Sequence, residues 1–286
     1  MIHNFNAGPS ILPKEVFEQA SQAILEYGNS GISLLEMGHR TPDFTAIMEE
    51  ARDLVKELMH LDNDHKVLFL HGGASTQFMQ VPMNLLDPKD SAAYADTGVW
   101  SSKAIKEAAL FGKVDVVCSS KENRYRNIPK DFAVPNDCKY FHITTNNTIY
   151  GTQWPTIPKT SNVMVADMSS DIFSRVIDFK SFGLIYAGAQ KNMGPAGATI
   201  VIIKEEILGK VTRKIPSMMN YQVHADKESM FNTPPVFAVY TSMLNMRWID
   251  AQGGIDRLKE LEQQYSGYEY YQKAVNRDGV QYHLNK

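Results

Sequence analysis

Three groups of residues that could do chemistry each follow directly after a short apolar run. They are His71-Gly72-Gly73-Ala74-Ser75-Thr76-Gln77, Asp167 with Met168-Ser169-Ser170, and Ala187-Gly188-Ala189-Gln190-Lys191-Asn192. A carboxylate or an amine at the end of a buried segment is costly unless a partner or a ligand offsets the burial. Taken singly, each group also has an ordinary interpretation: a structural turn before a helix, a helix N-cap aspartate and a solvated loop lysine.

Taken together, the three groups match what pyridoxal phosphate needs from a protein. The glycines and the helix N-terminus after them form a phosphate cradle, with the hydroxyls of Ser75 and Thr76 beside it. Lys191 would form a Schiff base with the cofactor aldehyde. Asp167 would pair with the pyridine nitrogen and keep it protonated, so that the ring acts as an electron sink. Trp100, just after another apolar run, is well placed to stack on the ring.

Strands that alternate with helices must position these groups. Buried strands are predicted at 66–71, 92–95, 114–118, 140–143, 163–166, 183–187 and 199–203, and helices at 43–60, 76–86, 102–111 and 236–249. This alternation predicts an α/β fold with a mostly parallel sheet covered by helices on both faces. Ligands of such sheets bind beyond the carboxyl ends of the strands, which is where the three groups lie.

Composition indicates a soluble globular protein. The chain has 286 residues, of which 43% are apolar and 21% charged, and a formal net charge of −3. There is no basic block or aromatic-basic interleaving to suggest nucleic acid, and no apolar stretch approaches the ~18 residues that span a bilayer. Cys118 and Cys138 are too few for a disulfide framework and fit a reducing compartment. With no signal peptide evident, we expect a cytoplasmic protein.

Five longer segments form an ordered set of motifs. They are NFNAGP at 4–9, EMGHR at 36–40, LHGG at 70–73, YAGAQKNMGPAG at 186–197 and MFNTPP at 230–235. On these segments the chain resembles the phosphoserine aminotransferases, a family of pyridoxal-phosphate enzymes of serine biosynthesis, over roughly residues 1–262. The resemblance implies a fold-type I large domain with a mostly parallel, mixed seven-stranded sheet. It also implies a homodimer that transfers an amino group from glutamate to 3-phosphohydroxypyruvate, giving O-phospho-L-serine and 2-oxoglutarate.

The resemblance further implies a role for each matching position. Lys191 and Asp167 would be the catalytic residues, and no metal is expected. The cofactor would be bound, in addition, by Ala74, Ser75, Trp100, Thr148, Gln190, Asn232 and Thr233, the last two reaching it from the neighbouring subunit. His39 and Arg40 would bind the anionic groups of the substrate, also across the interface, where arginine acts through its bidentate fork. The plain alternatives are a surface ion pair for Arg40 and an ordinary turn at 232–235.

The match divides the chain into an N-terminal arm at 1–15, a cofactor-binding large domain at 16–262 and an atypical tail at 263–286. The tail stands where the family continues into a small domain that supplies an arginine for the substrate carboxylate. It contains no Gly-Gly-Met-Arg-like segment, and neither Arg257 nor Arg277 is assigned to that carboxylate. We therefore expect a truncated small domain. Two alternatives stay open: a homologue that binds the cofactor but is catalytically impaired, and another fold-type I pyridoxal-phosphate enzyme.

Overall fold

The computed structural model describes residues 6–257 and residue 260, so the tail assigned to 263–286 lies outside the described residues. The helices are α1 (Lys14–Leu25), α2 (Pro42–Leu58), α3 (Gly73–Leu85), α4 (Val99–Ala108), α5 (Tyr221–Asp226) and α6 (Val236–Ala251). The strands are β1 (His65–Leu70), β2 (Ser91–Asp96), β3 (Lys113–Ser119), β4 (Tyr140–Thr144), β5 (Asn146–Asn147), β6 (Thr152–Gln153), β7 (Val163–Asp167), β8 (Leu184–Gly188) and β9 (Thr199–Lys204). Five short 3₁₀ helices occupy Leu34–Glu36, Lys121–Asn123, Phe179–Ser181, Glu205–Ile207 and Ser217–Met219. The domain boundaries after residues 15 and 262 stay predictions.

Seven strands form one sheet in the order β1-β9-β8-β7-β4-β2-β3. Neighbours from β8 through β7, β4 and β2 to β3 are parallel, whereas β9 is antiparallel to both β8 and β1. All strands of this sheet except β9 therefore run in one direction, and their carboxyl ends share one edge. The predicted mostly parallel, mixed seven-stranded sheet is confirmed.

Helices cover both faces of the sheet, as predicted. Successive residues of a strand point to opposite faces, and along β1 this places Val67 and Phe69 in one hydrophobic cluster and Leu68 and Leu70 in another. The first cluster includes the buried faces of α1, α2 and α6, which pack on one another. The second cluster includes residues of α3, α4 and α5. The sheet is thus buried on both sides, which is why its strands are nearly continuous apolar runs.

The helix starts decide where the chemical groups lie. Helices α3 and α4 each begin three residues before their predicted starts, at Gly73 and Val99. The apolar periodicity misses these first turns because they carry small and polar residues. Helix α2 is close to its prediction: Pro42 is its first residue, and the Thr41 hydroxyl accepts a hydrogen bond from the N–H of Phe44 at 3.4 Å. No helix within the described residues is long and apolar enough to cross a membrane.

Candidate active site

Lys191 lies in the turn after β8, where several elements converge on its amine. Its Nζ donates a hydrogen bond to Thr148 Oγ1 at 2.6 Å and lies 5.5 Å from the centroid of the Trp100 ring. Burial lowers the pKa of the Lys191 amine, against the opposing charges of Asp167 and Asp171. Desolvation thus favours the neutral amine, which is the form that can act as a nucleophile or accept a proton.

Asp167 is the last residue of β7 and is 4% exposed. Its Oδ1 accepts hydrogen bonds from the backbone N–H of Ser169 at 2.9 Å and from the Ser169 hydroxyl at 2.6 Å. Burial raises the pKa of Asp167, while these two bonds and the charge of Lys191 act to lower it. The other oxygen, Oδ2, has no donor among the described residues and is free to pair with a ligand.

The turn after Asp167 is tied to the loop that carries Thr148. The N–H of Thr145 donates to the carbonyl of Asp167 at 3.0 Å, and the Thr145 hydroxyl oxygen lies 3.0 Å from the same carbonyl. The same hydroxyl lies 2.5 Å from Oδ1 of Asp171, a second buried carboxylate, whose Oδ2 pairs with Arg175 at 3.2 Å. Burial raises the pKa of Asp171 in spite of Thr145 and Arg175. The predicted site residues did not include Asp171. Its partner Thr145 lies 26 residues away along the chain, and only the folded sheet brings the two together.

The glycine turn after β1 has the geometry of an anion cradle. Gly72 and Gly73 have φ of +89° and +66°, which side chains other than glycine rarely adopt. A Cβ on Gly72 would overlap the Thr76 hydroxyl. Ala74 and Ser75 lie in the first turn of α3, so their N–H groups have no partner within the helix and sit at its positive end. These two residues can therefore donate backbone hydrogen bonds to a phosphate.

Trp100 lies in the first turn of α4, beyond the end of β2. Its Nε1 is buried without a hydrogen-bond partner in the described part of the chain. The Nζ of Lys103 lies 4.6 Å from the ring centroid, so two lysine amines approach this indole. An aromatic ring beside a half-buried amine suits a planar ligand that stacks on the ring.

The remaining predicted residues are Gln190, Asn232, Thr233, His39 and Arg40. Gln190 directly precedes Lys191, and the side-chain Oε1 of Gln190 lies close to Gly188. The carbonyl of Thr233 accepts a hydrogen bond from His71 Nε2 at 2.9 Å, which places 232–233 beside the glycine turn. His39 and Arg40 lie between the 3₁₀ helix Leu34–Glu36 and α2. Within the described residues, no hydrogen bond, ion pair or ring contact links Lys191 to Asn232, Thr233, His39 or Arg40. Their assigned roles stay predictions.

Two residues near the N-terminus contact Lys191 and were missed by sequence reasoning. The N–H of Ser10 donates to the carbonyl of Gln190 at 3.0 Å, and the Ser10 hydroxyl donates to the carbonyl of Lys191. A Cβ built on Gly8 would lie 3.0 Å from Lys191 Cγ. Gly8 belongs to the first of the five motifs, which marks the segment as one of interest. No local pattern in the sequence indicates that it contacts a lysine so far along the chain.

The residues present fit pyridoxal phosphate. The site combines a desolvated amine, a buried carboxylate with one unpaired oxygen, an indole with an unpaired donor and a helix N-terminus with free N–H groups. These features correspond in turn to an aldehyde, a pyridine nitrogen, an aromatic ring and a phosphate. Within the residues that the structure describes, no three histidine, cysteine, aspartate or glutamate side chains are grouped so that they could hold a metal ion.

Comparisons with known proteins give a consistent result. The family model for class-V aminotransferases matches residues 2–282. A curated phosphoserine aminotransferase of Flavobacterium psychrophilum is 57% identical over 260 residues, which are 91% of this chain and 73% of that protein.

Solved structures agree with the sequence match. One is a phosphoserine aminotransferase studied for radiation damage of its Schiff base; it is 41% identical, with a TM-score of 0.91, over 95% of this chain and 76% of its own. Another is the phosphoserine aminotransferase of Trichomonas vaginalis with pyridoxal phosphate bound, which is 30% identical. Its TM-score is 0.87, and the match covers 95% of this chain and 77% of that one.

Proposed function

The chain belongs to the class-V aminotransferases and, within them, to the phosphoserine aminotransferases, and we propose that Lys191 and the groups around it carry out this family's transamination. The substrates would be O-phospho-L-serine and 2-oxoglutarate, or in the opposite direction 3-phosphohydroxypyruvate and glutamate. The observation that carries the proposal is the Lys191 amine, which burial shifts towards its neutral form beside Trp100 and Thr148.

Lys191 has two tasks in this proposal. It would hold the cofactor covalently through Nζ, and the same Nζ, when released, would move a proton at the substrate α-carbon. Pyridoxal phosphate, when bound, supplies an electron-poor ring that accepts the electron pair left by that proton. When the amine is free, the hydrogen bond from Nζ to Thr148 Oγ1 fixes its orientation.

Asp167 would hold a proton on the cofactor ring nitrogen. Because Ser169 occupies Oδ1 through two hydrogen bonds, the carboxylate is fixed in orientation and Oδ2 is left for the ligand. Burial makes a lone carboxylate here costly, so a cationic partner stabilises it strongly. Trp100 would stack on the ring, and the N–H groups of Ala74 and Ser75 would bind the phosphate, with Gln190 nearby.

Substrate recognition would depend on a second copy of the chain. His39 and Arg40 would bind the anionic groups of a substrate held by the neighbouring subunit, and Asn232 and Thr233 would reach the neighbour's cofactor phosphate. Arg40 is exposed and makes no ion pair with the described residues, which leaves its guanidinium fork available for a carboxylate or a phosphate.

Half-reactions of the cofactor-loaded protein test the proposed activity. The loaded protein is mixed separately with O-phospho-L-serine, glutamate and alanine, and loss of the near-visible absorbance band is followed. We expect the first two to discharge the band quickly and alanine slowly, and the Lys191→Ala variant to have no band. A band that only alanine discharges would indicate another transaminase, and a stable band with all three would indicate a cofactor-binding protein without activity.

Subunit mixing tests the shared site. Lys191→Ala and Arg40→Ala dimers should each be nearly inactive alone. Mixed and allowed to exchange, they should recover roughly a quarter of the wild-type sites, because half of the dimers are hybrids and each hybrid has one intact site. Arg126→Ala, which changes another exposed arginine, is the control and should be active alone. No recovery in verified hybrids would contradict a site built from two subunits.

A further inference from the structure

We propose that Gly8 and Ser10 form an N-terminal strap that fixes the turn and the side chain of Lys191, so that they are positioning residues for the reaction. The inference rests on the proposed role of Lys191 as the cofactor lysine. It concerns two residues that contact this lysine and its neighbour Gln190 and to which no substrate or cofactor role is assigned above.

Ser10 holds the backbone on both sides of the Lys191 Cα. Its N–H donates to the Gln190 carbonyl at 3.0 Å and its hydroxyl donates to the Lys191 carbonyl. Two successive carbonyls are thus bound by one residue from a segment 181 positions away. Buried or half-buried carbonyls without a partner are costly, so this pairing stabilises one specific path of the turn.

The other end of the same turn is held independently. The side-chain amide of Asn245 in α6 donates to the carbonyl of Met193 at 2.9 Å, and the amide of Asn192 donates to the carbonyl of Ile172. Removing the strap therefore leaves the turn attached at its far end, while the carbonyls of Gln190 and Lys191 lose the partner that Ser10 provides. Its loss should loosen the lysine without unfolding the sheet beneath it.

Gly8 controls the lysine stem. A Cβ at this position would lie 3.0 Å from Cγ, 3.8 Å from Cδ and 3.7 Å from Cε of Lys191, so the Gly8 backbone runs along the whole aliphatic chain. The stem is fixed at its other end by the hydrogen bond from Nζ to Thr148. A methyl group at residue 8 would push a side chain that is held at both ends, and the displacement would pass to the amine.

A displaced amine has a predictable kinetic effect. Proton transfer needs the donor and acceptor atoms within hydrogen-bond distance, and a misplacement of about 1 Å can cost on the order of a hundredfold in rate. Because the strap lies outside the substrate contacts proposed above, KM should change little while kcat falls. A glycine and a serine that only completed the fold would not produce this split.

The first test uses the cofactor-free protein and follows Lys191 itself. Lysines are labelled competitively with acetic anhydride across a pH series, and the peptide that contains Lys191 is quantified by mass spectrometry. In Gly8→Ala and Ser10→Ala the amine should label faster, and its apparent pKa should rise towards the ordinary lysine value, because the loosened side chain regains water. Ser10→Thr, which keeps the hydroxyl, should restore the wild-type profile.

Two control variants separate the strap from general damage. Gly28→Ala adds a methyl at a backbone angle of φ +57° where no described residue comes within 4 Å. Ser161→Ala removes an exposed hydroxyl that donates a hydrogen bond to Asn136. Neither should change Lys191 labelling. Wild-type labelling in Gly8→Ala and Ser10→Ala, or equal changes in the controls, would overturn the proposal.

The second test measures the loaded enzyme. Gly8→Ala and Ser10→Ala should lower kcat by roughly tenfold to a hundredfold at unchanged KM, and the isotope effect with α-deuterated O-phospho-L-serine should increase because proton transfer limits the rate more. An unchanged kcat or a change confined to KM would contradict the strap. If the wild-type protein does not carry the cofactor on Lys191, the proposed function fails, whereas the labelling result on the cofactor-free protein still decides whether the strap exists.

Discussion

Replacing Asp171 with alanine should lower the free energy of unfolding of the cofactor-free protein by about 2 kcal/mol, whereas asparagine at this position should cost less than about 1 kcal/mol. Asp171 is the buried carboxylate that ties the turn after Asp167 to Thr145 and so to the loop carrying Thr148. The two substitutions differ in whether the acceptor for the Thr145 hydroxyl survives.

The magnitude follows from the contacts that alanine removes. The bond to Thr145 is short, at 2.5 Å, and hydrogen bonds to charged groups contribute about 1.5–3 kcal/mol. Arg175 also loses a partner, but its guanidinium keeps its hydrogen bond to the carbonyl of Trp154, which limits the cost. Alanine also removes a carboxylate whose burial raises its pKa and therefore opposes ionisation in the folded protein. Asparagine also removes the buried charge, and in addition it keeps an oxygen that can accept the hydrogen bond from the Thr145 hydroxyl.

Urea unfolding of the cofactor-free protein measures these differences. The shift in midpoint at constant slope gives the change in stability. Asp178→Ala is the matched control: this aspartate is exposed and its side chain makes no cap hydrogen bond, so its loss should cost less than about 0.5 kcal/mol. If Asp171→Asn proves as damaging as Asp171→Ala, or Asp171→Ala behaves like the control, the hydrogen bond between Thr145 and Asp171 does not stabilise the fold.

Two further changes have measurable outcomes. Trp100→Ala should raise the dissociation constant of pyridoxal phosphate about tenfold, measured by equilibrium dialysis, because the ring loses its stacking partner. Burial lowers the pKa of His142 to about 3, below its ordinary 6.5. As pH falls from 7 to 5, only the unfolded chain takes up this proton, so the wild type should lose ~2 kcal/mol that a His142→Gln variant retains, measured by urea unfolding at both pH values.

Each of these expectations can fail clearly. Trp100→Phe keeps an aromatic face and should bind the cofactor better than Trp100→Ala; equal affinity in the two variants would exclude stacking. For His142, the test is the difference between the wild type and the glutamine variant across the pH range. If both proteins lost the same stability between pH 7 and pH 5, the loss would not come from His142 staying neutral in the folded protein.

The strands and the main chemical groups could be predicted from the sequence for a physical reason. A strand covered on both faces must be apolar at nearly every position, so the end of the apolar run in the sequence marks the end of the strand. The first polar residues beyond it lie at the carboxyl ends of the strands, where ligands bind. Asp167 and Lys191 were found in this way. The strands β5 and β6 were not, because two-residue strands are too short to show any alternation.

The supporting contacts could not be predicted because they join distant parts of the chain. Ser10 meets the carbonyl of Lys191 across 181 positions, and Thr145 meets Asp171 across 26. Neither pair has a periodic or compositional signature, since each is brought together only by the completed sheet. Ser169 is different: a hydroxyl two residues after a strand-end aspartate is a recognisable local turn motif, and it indicates how Asp167 is oriented.

The most direct test of the central claim is to identify the lysine that carries the cofactor. The protein is loaded with pyridoxal phosphate, reduced with borohydride to make the link permanent, digested and analysed by mass spectrometry. We predict the modification on the peptide containing Lys191 and none in Lys191→Ala, while Lys103→Ala, which removes the other amine near Trp100, is modified like the wild type. Stoichiometric modification of Lys103 or of any other lysine, with Lys191 unmodified, would contradict the account.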